Sequence, residues 1–153
     1  MNLAKAIYYN SISPENISKL IINATKGFDD AKIRKLNFFD LFIIIPFYSY
    51  PPAQKQFKKI VFNKINSFQR DVERNPNTFS KFNFRYEKSF QYIKLGVLYA
   101  IENDLIFMDE NMDITINGKF RSDIKIIYNI GKVFSTKTTA SLYNFFEVDV
   151  NVI

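Results

Sequence analysis

Ile17, Leu20, Ile21 and Ala24 fall at i, i+3, i+4 and i+7, the spacing of one apolar helical face. The flanks agree with a helix over 13–27. Ser13 is a good N-cap, Pro14 suits the first helical position, Glu15 complements the helix dipole, and Gly27 can close the end in a left-handed conformation. The polar link FDDAKIRK that follows reads as a surface turn with room for one short helical turn.

Residues 37–52, NFFDLFIIIPFYSYPP, carry no charge between Leu41 and Pro52. The 10 residues from Leu41 to Tyr50, or 13 counted from Phe38, fall short of a membrane span, which needs about 20 apolar residues. Asp40 ahead of the run and Pro46 within it predict a helix from near Asn37 that is kinked or ended around Pro46. A buried strand over LFIII is the alternative, because short apolar runs are ambiguous by periodicity. Phe38, Leu41, Phe42 and Ile45 fit one buried stripe. Phe47, Tyr48 and Tyr50 lie past that stripe, beside or beyond the proline, and are the candidate partner-facing edge.

After the double proline the chain restarts as a helix with Pro52 near its beginning, with Phe57, Ile60, Val61 and Phe68 able to point inwards and Lys55, Lys58, Lys59 and Lys64 outwards. Asn75-Pro76-Asn77 breaks it. The longest periodic segment comes next: Phe79, Phe82, Tyr86, Phe90, Ile93, Val97 and Ala100 recur at spacings of three and four and predict a central helix. It runs into a small hairpin, two β-prone segments around the tip Asp109-Glu110-Asn111 with Asn117-Gly118 as a closing turn. Ser122 is placed to cap a helix carrying Ile124, Ile127, Tyr128 and Phe134 on one face, and TTASLYNFFEV adds a last short helix. The expected fold is mainly α with a minor β part: one domain over 1–153, a helical bundle with one hairpin after a long central helix. A helix followed at once by a hairpin resembles the wing of a winged-helix domain, although helices continue beyond it here.

Composition narrows the chemistry. The 153 residues contain no Cys and no His. That removes thiolate and imidazole nucleophiles, the usual structural zinc ligands and the commonest general base. The chain is expected to be neither an enzyme nor a holder of a cofactor or metal. Its first residues show no apolar run of signal-peptide length and no small-residue cleavage site, so a cytoplasmic location is expected. The formal charge of +6 comes with 16 Lys and only 5 Arg, and with 21 Ile and 16 Asn, a skew towards AT-rich codons. Lys in place of Arg is the weaker form of a nucleic-acid signal, because Arg supplies the bidentate fork. With 17 Phe and 9 Tyr, rings are numerous enough that some belong at an interface.

Most candidate sites fail on geometry. DENMD (109–113) alternates side-chain oxygens as a calcium loop does. However, Ile114 stands where the loop's glycine belongs and Phe120 where its chelating Glu should be, so a polar hairpin tip is the better account. Glu102 and Asp104, two residues apart, point about 200° apart on a helix and cannot share a ligand. The four glycines are scattered, and no phosphate-loop pattern occurs. Gly96 and Gly131, inside predicted helices, suit close helix crossings better than a ligand. The strongest surface signal is Lys55, Lys58, Lys59 and Lys64, four cations interleaved with Phe57 and Phe62, which can track a phosphate backbone or form a solvated face.

The order of features, from the capped first helix through LFIIIPFYSYPP, the basic helix, FQYIKLGVLYAIENDLI, the hairpin and the closing IYNIGKVFSTKTTASLYNFFEV, resembles the small middle component of bacterial three-component ABC systems. More narrowly, it is similar to the small subunit of Lamassu-type phage defence. The resemblance covers nearly the whole chain and rests on patterned apolar residues without a catalytic motif. It implies a non-enzymatic subunit joining an SMC-like ATPase, which senses or grips DNA, to an effector that is often a nuclease. The alternative reading of the residues is a stand-alone winged-helix-like DNA-binding regulator.

Overall fold

The computed structural model describes residues 2–58, 65–74, 81–149 and 151. Among them the chain is mainly helical, with a three-stranded antiparallel sheet. In order come α1 (Leu3–Ser11), α2 (Pro14–Ala31), β1 (Leu36–Asn37), a 3-10 turn (Phe38–Asp40), α3 (Leu41–Tyr48), α4 (Pro51–Phe57) and α5 (Ile65–Arg74). Then follow α6 (Phe82–Glu102), β2 (Ile106–Met108), β3 (Asp113–Ile116), α7 (Lys125–Phe134) and α8 (Thr139–Phe146). The breaker Asn75-Pro76-Asn77, Phe79, Ile60 and Val61 lie outside the described residues.

The sheet has the order β1-β3-β2, with Leu36 and Met108 both opposite Ile114. The expected hairpin therefore gains a third strand. Leu36 lies only two residues before the 3-10 turn, and its β-character was masked by the polar link in front of it. Helix α2, strand β1, helix α3, helix α6 and the β2–β3 hairpin, with β3 in the middle, follow the connectivity of a winged-helix domain, and α2, α3 and α6 pack on one another beneath the sheet. Helices α4 and α5 intervene between α3 and α6. Helices α7 and α8 extend the bundle, with α7 packed along α2.

Ser13 caps α2 as its sequence predicts, accepting from the Asn16 N–H at 3.3 Å. Gly27 does not end the helix, however. α2 runs on to Ala31 and closes at Lys32, which adopts φ 56. The first half of the expected surface turn is thus helix, and Phe28 in it is fully buried. Gly27 instead serves a crossing. A Cβ there would strike the Tyr128 carbonyl oxygen and sit 3.2 Å from the Gly131 Cα, while a Cβ on Gly131 would lie 2.5 Å from the Ala24 carbonyl oxygen. The two glycines let α2 and α7 touch backbone to backbone. Gly96 makes room on α6 for a side chain of α2 instead, since a Cβ there would collide with Ile17.

Helix α7 is capped from a distance. Ser122 does not cap it; its hydroxyl donates to Asn23 Oδ1 (3.0 Å), which also accepts from the Asp123 and Ile124 N–H groups (3.1 and 3.0 Å). The Asn23 amide donates to Lys19 O (2.9 Å) and Asp123 Oδ1 (2.8 Å). One fully buried Asn on α2 therefore satisfies the start of α7, which has no side-chain cap of its own.

Helix α3 is the centre of the core. Every residue from Leu41 to Phe47 is buried, so it is apolar all round and has no single stripe. Pro46 does not stop it; the helix continues to Tyr48. Phe47, expected at a partner-facing edge, is fully buried, with ring centroids 5.7 Å from Phe57, 5.4 Å from Phe68, 5.5 Å from Phe134 and 5.7 Å from Phe146. The placement is a correction with a simple cause. Because α3 runs past the proline, Phe47 is still helical and falls among rings from α4, α5, α7 and α8. The one acid in this region, Asp40, is completely buried and accepts a two-pronged pair from Arg34 (2.6 and 3.1 Å) together with the Asn37 N–H (2.8 Å). Arg34 also donates to Lys137 O (2.6 Å), so it ties α2, the 3-10 turn and the α7–α8 link together.

Candidate docking surface

Helix α6 divides by its period. Phe82, Tyr86, Ser89, Ile93, Val97 and Ala100 face the core. At 100° per residue, Phe84, Lys88, Gln91, Leu95, Leu98 and Glu102 make a narrow stripe on the opposite side. All six are exposed, Phe84 at 62%, Leu95 at 44% and Leu98 at 50%.

Helix α1, which the sequence pattern did not predict, adds exposed apolar side chains. Its N-cap is Asn2, which accepts from the Lys5 N–H at 2.9 Å, and Asn16 fastens its end by donating to Asn10 O at 2.7 Å. It nevertheless buries no residue, and Leu3, Ile7, Tyr8 and Tyr9 are all exposed. On α6 the Tyr92 phenol is pushed up to about 12, chiefly by burial and then by the Tyr8 phenol. Exposed apolar side chains on two helices are candidates for a partner-binding surface.

In a helix-turn-helix arrangement the second helix enters the major groove. The corresponding helix here is poorly equipped for that. The only arginine on α6, Arg85, is turned inwards, its guanidinium 4.2 Å from the Tyr50 ring and its Nε donating to Pro46 O at 3.2 Å. The hairpin tip carries Asp109, Glu110 and Asp113, whose charge repels phosphate. Asp109 Oδ1 is committed to the Asn111 and Asp113 N–H groups (3.0 and 2.9 Å), and Asn37 braces the tip by donating to Asn111 O and Asp113 Oδ1. Among the described residues no cluster of three acidic side chains could hold a metal ion, and no helix is long and apolar enough to cross a membrane.

The other sequence-predicted residues do not form one site. Tyr48 and Tyr50 are half-buried, and burial raises the Tyr48 phenol above its ordinary value. Lys55 and Lys58 are exposed at the end of α4, whereas Lys59 and Lys64 lie outside the described residues. The stripe on α6 was legible in principle, since its inner face was assigned correctly and Leu95 and Leu98 then had to point away.

A family model described as MC3, ABC-three component (ABC-3C) system Middle Component 3, matches residues 1–150. The chain belongs to the Middle Component 3 family. A middle component is one part of a three-component ABC system, so this Middle Component 3 works with partner proteins of an ABC system. No curated protein and no solved structure matches the chain. For a subunit with partners, an apolar stripe opposite the core has an evident use.

Proposed function

We propose that this Middle Component 3 is a non-catalytic, cytoplasmic subunit that joins an SMC-like, ABC-type ATPase to an effector nuclease in a Lamassu-like phage- or plasmid-defence complex. The observation that carries this reading is the exposed stripe of Phe84, Leu95 and Leu98 on a chain that belongs to a middle-component family. The stripe docks the ATPase, with α1 as a second apolar contact. A chain without imidazole or thiol suits a joining role better than a chemical one.

The winged-helix connectivity favours a second reading, a stand-alone DNA-binding regulator. The inward-turned Arg85 and the acidic hairpin tip weigh against it. Co-expression with the ATPase encoded beside it separates the two. The docking subunit co-purifies with the ATPase, and Leu95→Asp with Leu98→Asp releases it. A wild-type chain that stays monomeric beside that ATPase, yet shifts a specific duplex alone, would establish the regulator instead.

A further inference from the structure

A groove between α2 and α7 carries more positive charge than the one acid lining it can balance. Its volume is about 360 Å³, and Lys26, Asp30, Arg121, Ser122, Lys125 and Tyr128 line it. Lys125, Tyr128 and Lys132 share one face of α7 by their i, i+3 and i+7 spacing, and the two ammonium groups sit 5.1 and 5.7 Å from the Tyr128 ring centroid. The only acid lining the groove, Asp30, is already engaged at both oxygens: Lys26 Nζ lies 2.6 Å from Oδ1, and the Tyr128 hydroxyl donates to Oδ2 at 2.9 Å. The Lys26 hydrogen bond holds the Asp30 carboxyl below its ordinary range, so it stays ionised and keeps Lys26 and Tyr128 in place. Among the described residues, Arg121, Lys125 and Lys132 have no carboxylate within ion-pair distance. Arg121 and Lys125, outside any ion pair and beside an acid already satisfied by Lys26 and Tyr128, form a preorganised site for an anion, with Lys132 adding positive potential nearby.

We infer that this groove binds the phosphodiester backbone of a nucleic acid, with Arg121 and Lys125 on phosphate oxygens and Lys132 adding attraction beside them. The groove is open and has no enclosed apolar chamber, which suits a polyanion that passes through it better than a small ligand that must be surrounded. The site is separate from the α6 stripe and from Lys55 and Lys58. Its failure would leave the docking reading untouched.

The test uses the purified full chain with a short fluorescent duplex DNA, titrated across a series of salt concentrations. Arg121→Glu with Lys125→Glu is expected to weaken binding at least tenfold and to flatten the salt dependence by about two phosphate contacts. Lys55→Glu with Lys58→Glu is expected to change affinity less than threefold. Asp30→Asn removes the acid but no cation and is expected to tighten binding about threefold, a gain that a purely structural role would not give. Inorganic pyrophosphate is expected to compete only weakly; binding as tight as that of the duplex would assign the groove to free phosphate groups and overturn the backbone inference. Unchanged affinity and salt dependence in a folded Arg121→Glu, Lys125→Glu variant would overturn the site altogether, as would a wild-type chain that binds no duplex at low salt.

Discussion

The run Leu41–Phe47 and the stripe Phe84, Leu95 and Leu98 are both apolar, and they have opposite fates. The first is a seven-residue stretch without a charge and is buried on every side of α3. The second is broken up in sequence by Glu87, Lys88 and Lys94 and stands in solvent. The denser apolar stretch is therefore the core, and the dispersed one is the surface with something left to bind. Density marks what the chain must hide from water, whereas an interface needs apolar atoms among polar ones so that the free subunit stays soluble.

The largest expected effect breaks the buried member of the pair. Phe47→Ala removes a ring packed among Phe57, Phe68, Phe134 and Phe146 and is expected to lower the unfolding free energy by about 3–5 kcal/mol in urea titration. If Phe47 were a partner contact, its loss would leave the isolated chain nearly as stable as before. Next comes the clamp below α3. Arg34→Ala strands the Asp40 carboxylate without exposure to water and is expected to cost about 3 kcal/mol in the same measurement. Asn23→Ala leaves the Asp123 and Ile124 N–H groups without their acceptor and is expected to cost about 2 kcal/mol.

A smaller effect tests the burial of Tyr92 on α6. Tyr92, at about 12, keeps its proton in the folded chain where an unfolded phenol loses it near 10.0. Its contribution to stability is therefore intact below about pH 10 and falls as the pH rises towards 12. Phenolate absorbance followed together with the helical signal should show this loss, and Tyr92→Phe should make the alkaline transition shallower. The smallest stability effect belongs to the stripe itself: Leu98→Ser is expected to change the unfolding free energy by less than about 0.5 kcal/mol.

How far the sequence could be read follows from the same contrast. The mainly α fold, the capped start of α2, the inner face of α6, the hairpin and the helix-crossing role of Gly96 and Gly131 are all local or periodic properties, and each was legible. Strand β1 was not, because two residues cannot show a period and Leu36 pairs with Ile114 far along the chain. The cap of α7 was assigned to Ser122, whereas Asn23, about a hundred residues away, does most of the work; no local pattern can name a partner at that distance. The partner edge was placed at Phe47 because the proline was expected to end the helix. The helix runs two residues past the proline, to Tyr48, and that is enough to carry the Phe47 ring inwards.

The central claim is that the α6 stripe holds a partner while contributing little to the fold. It is tested most directly by co-purifying the Leu95→Asp, Leu98→Asp chain with the ABC-type ATPase proposed as its partner, alongside urea titrations of both chains. The account predicts that the wild-type chain is captured, that the variant is not, and that the two chains unfold at nearly the same urea concentration. Capture of the variant at the wild-type level would contradict it.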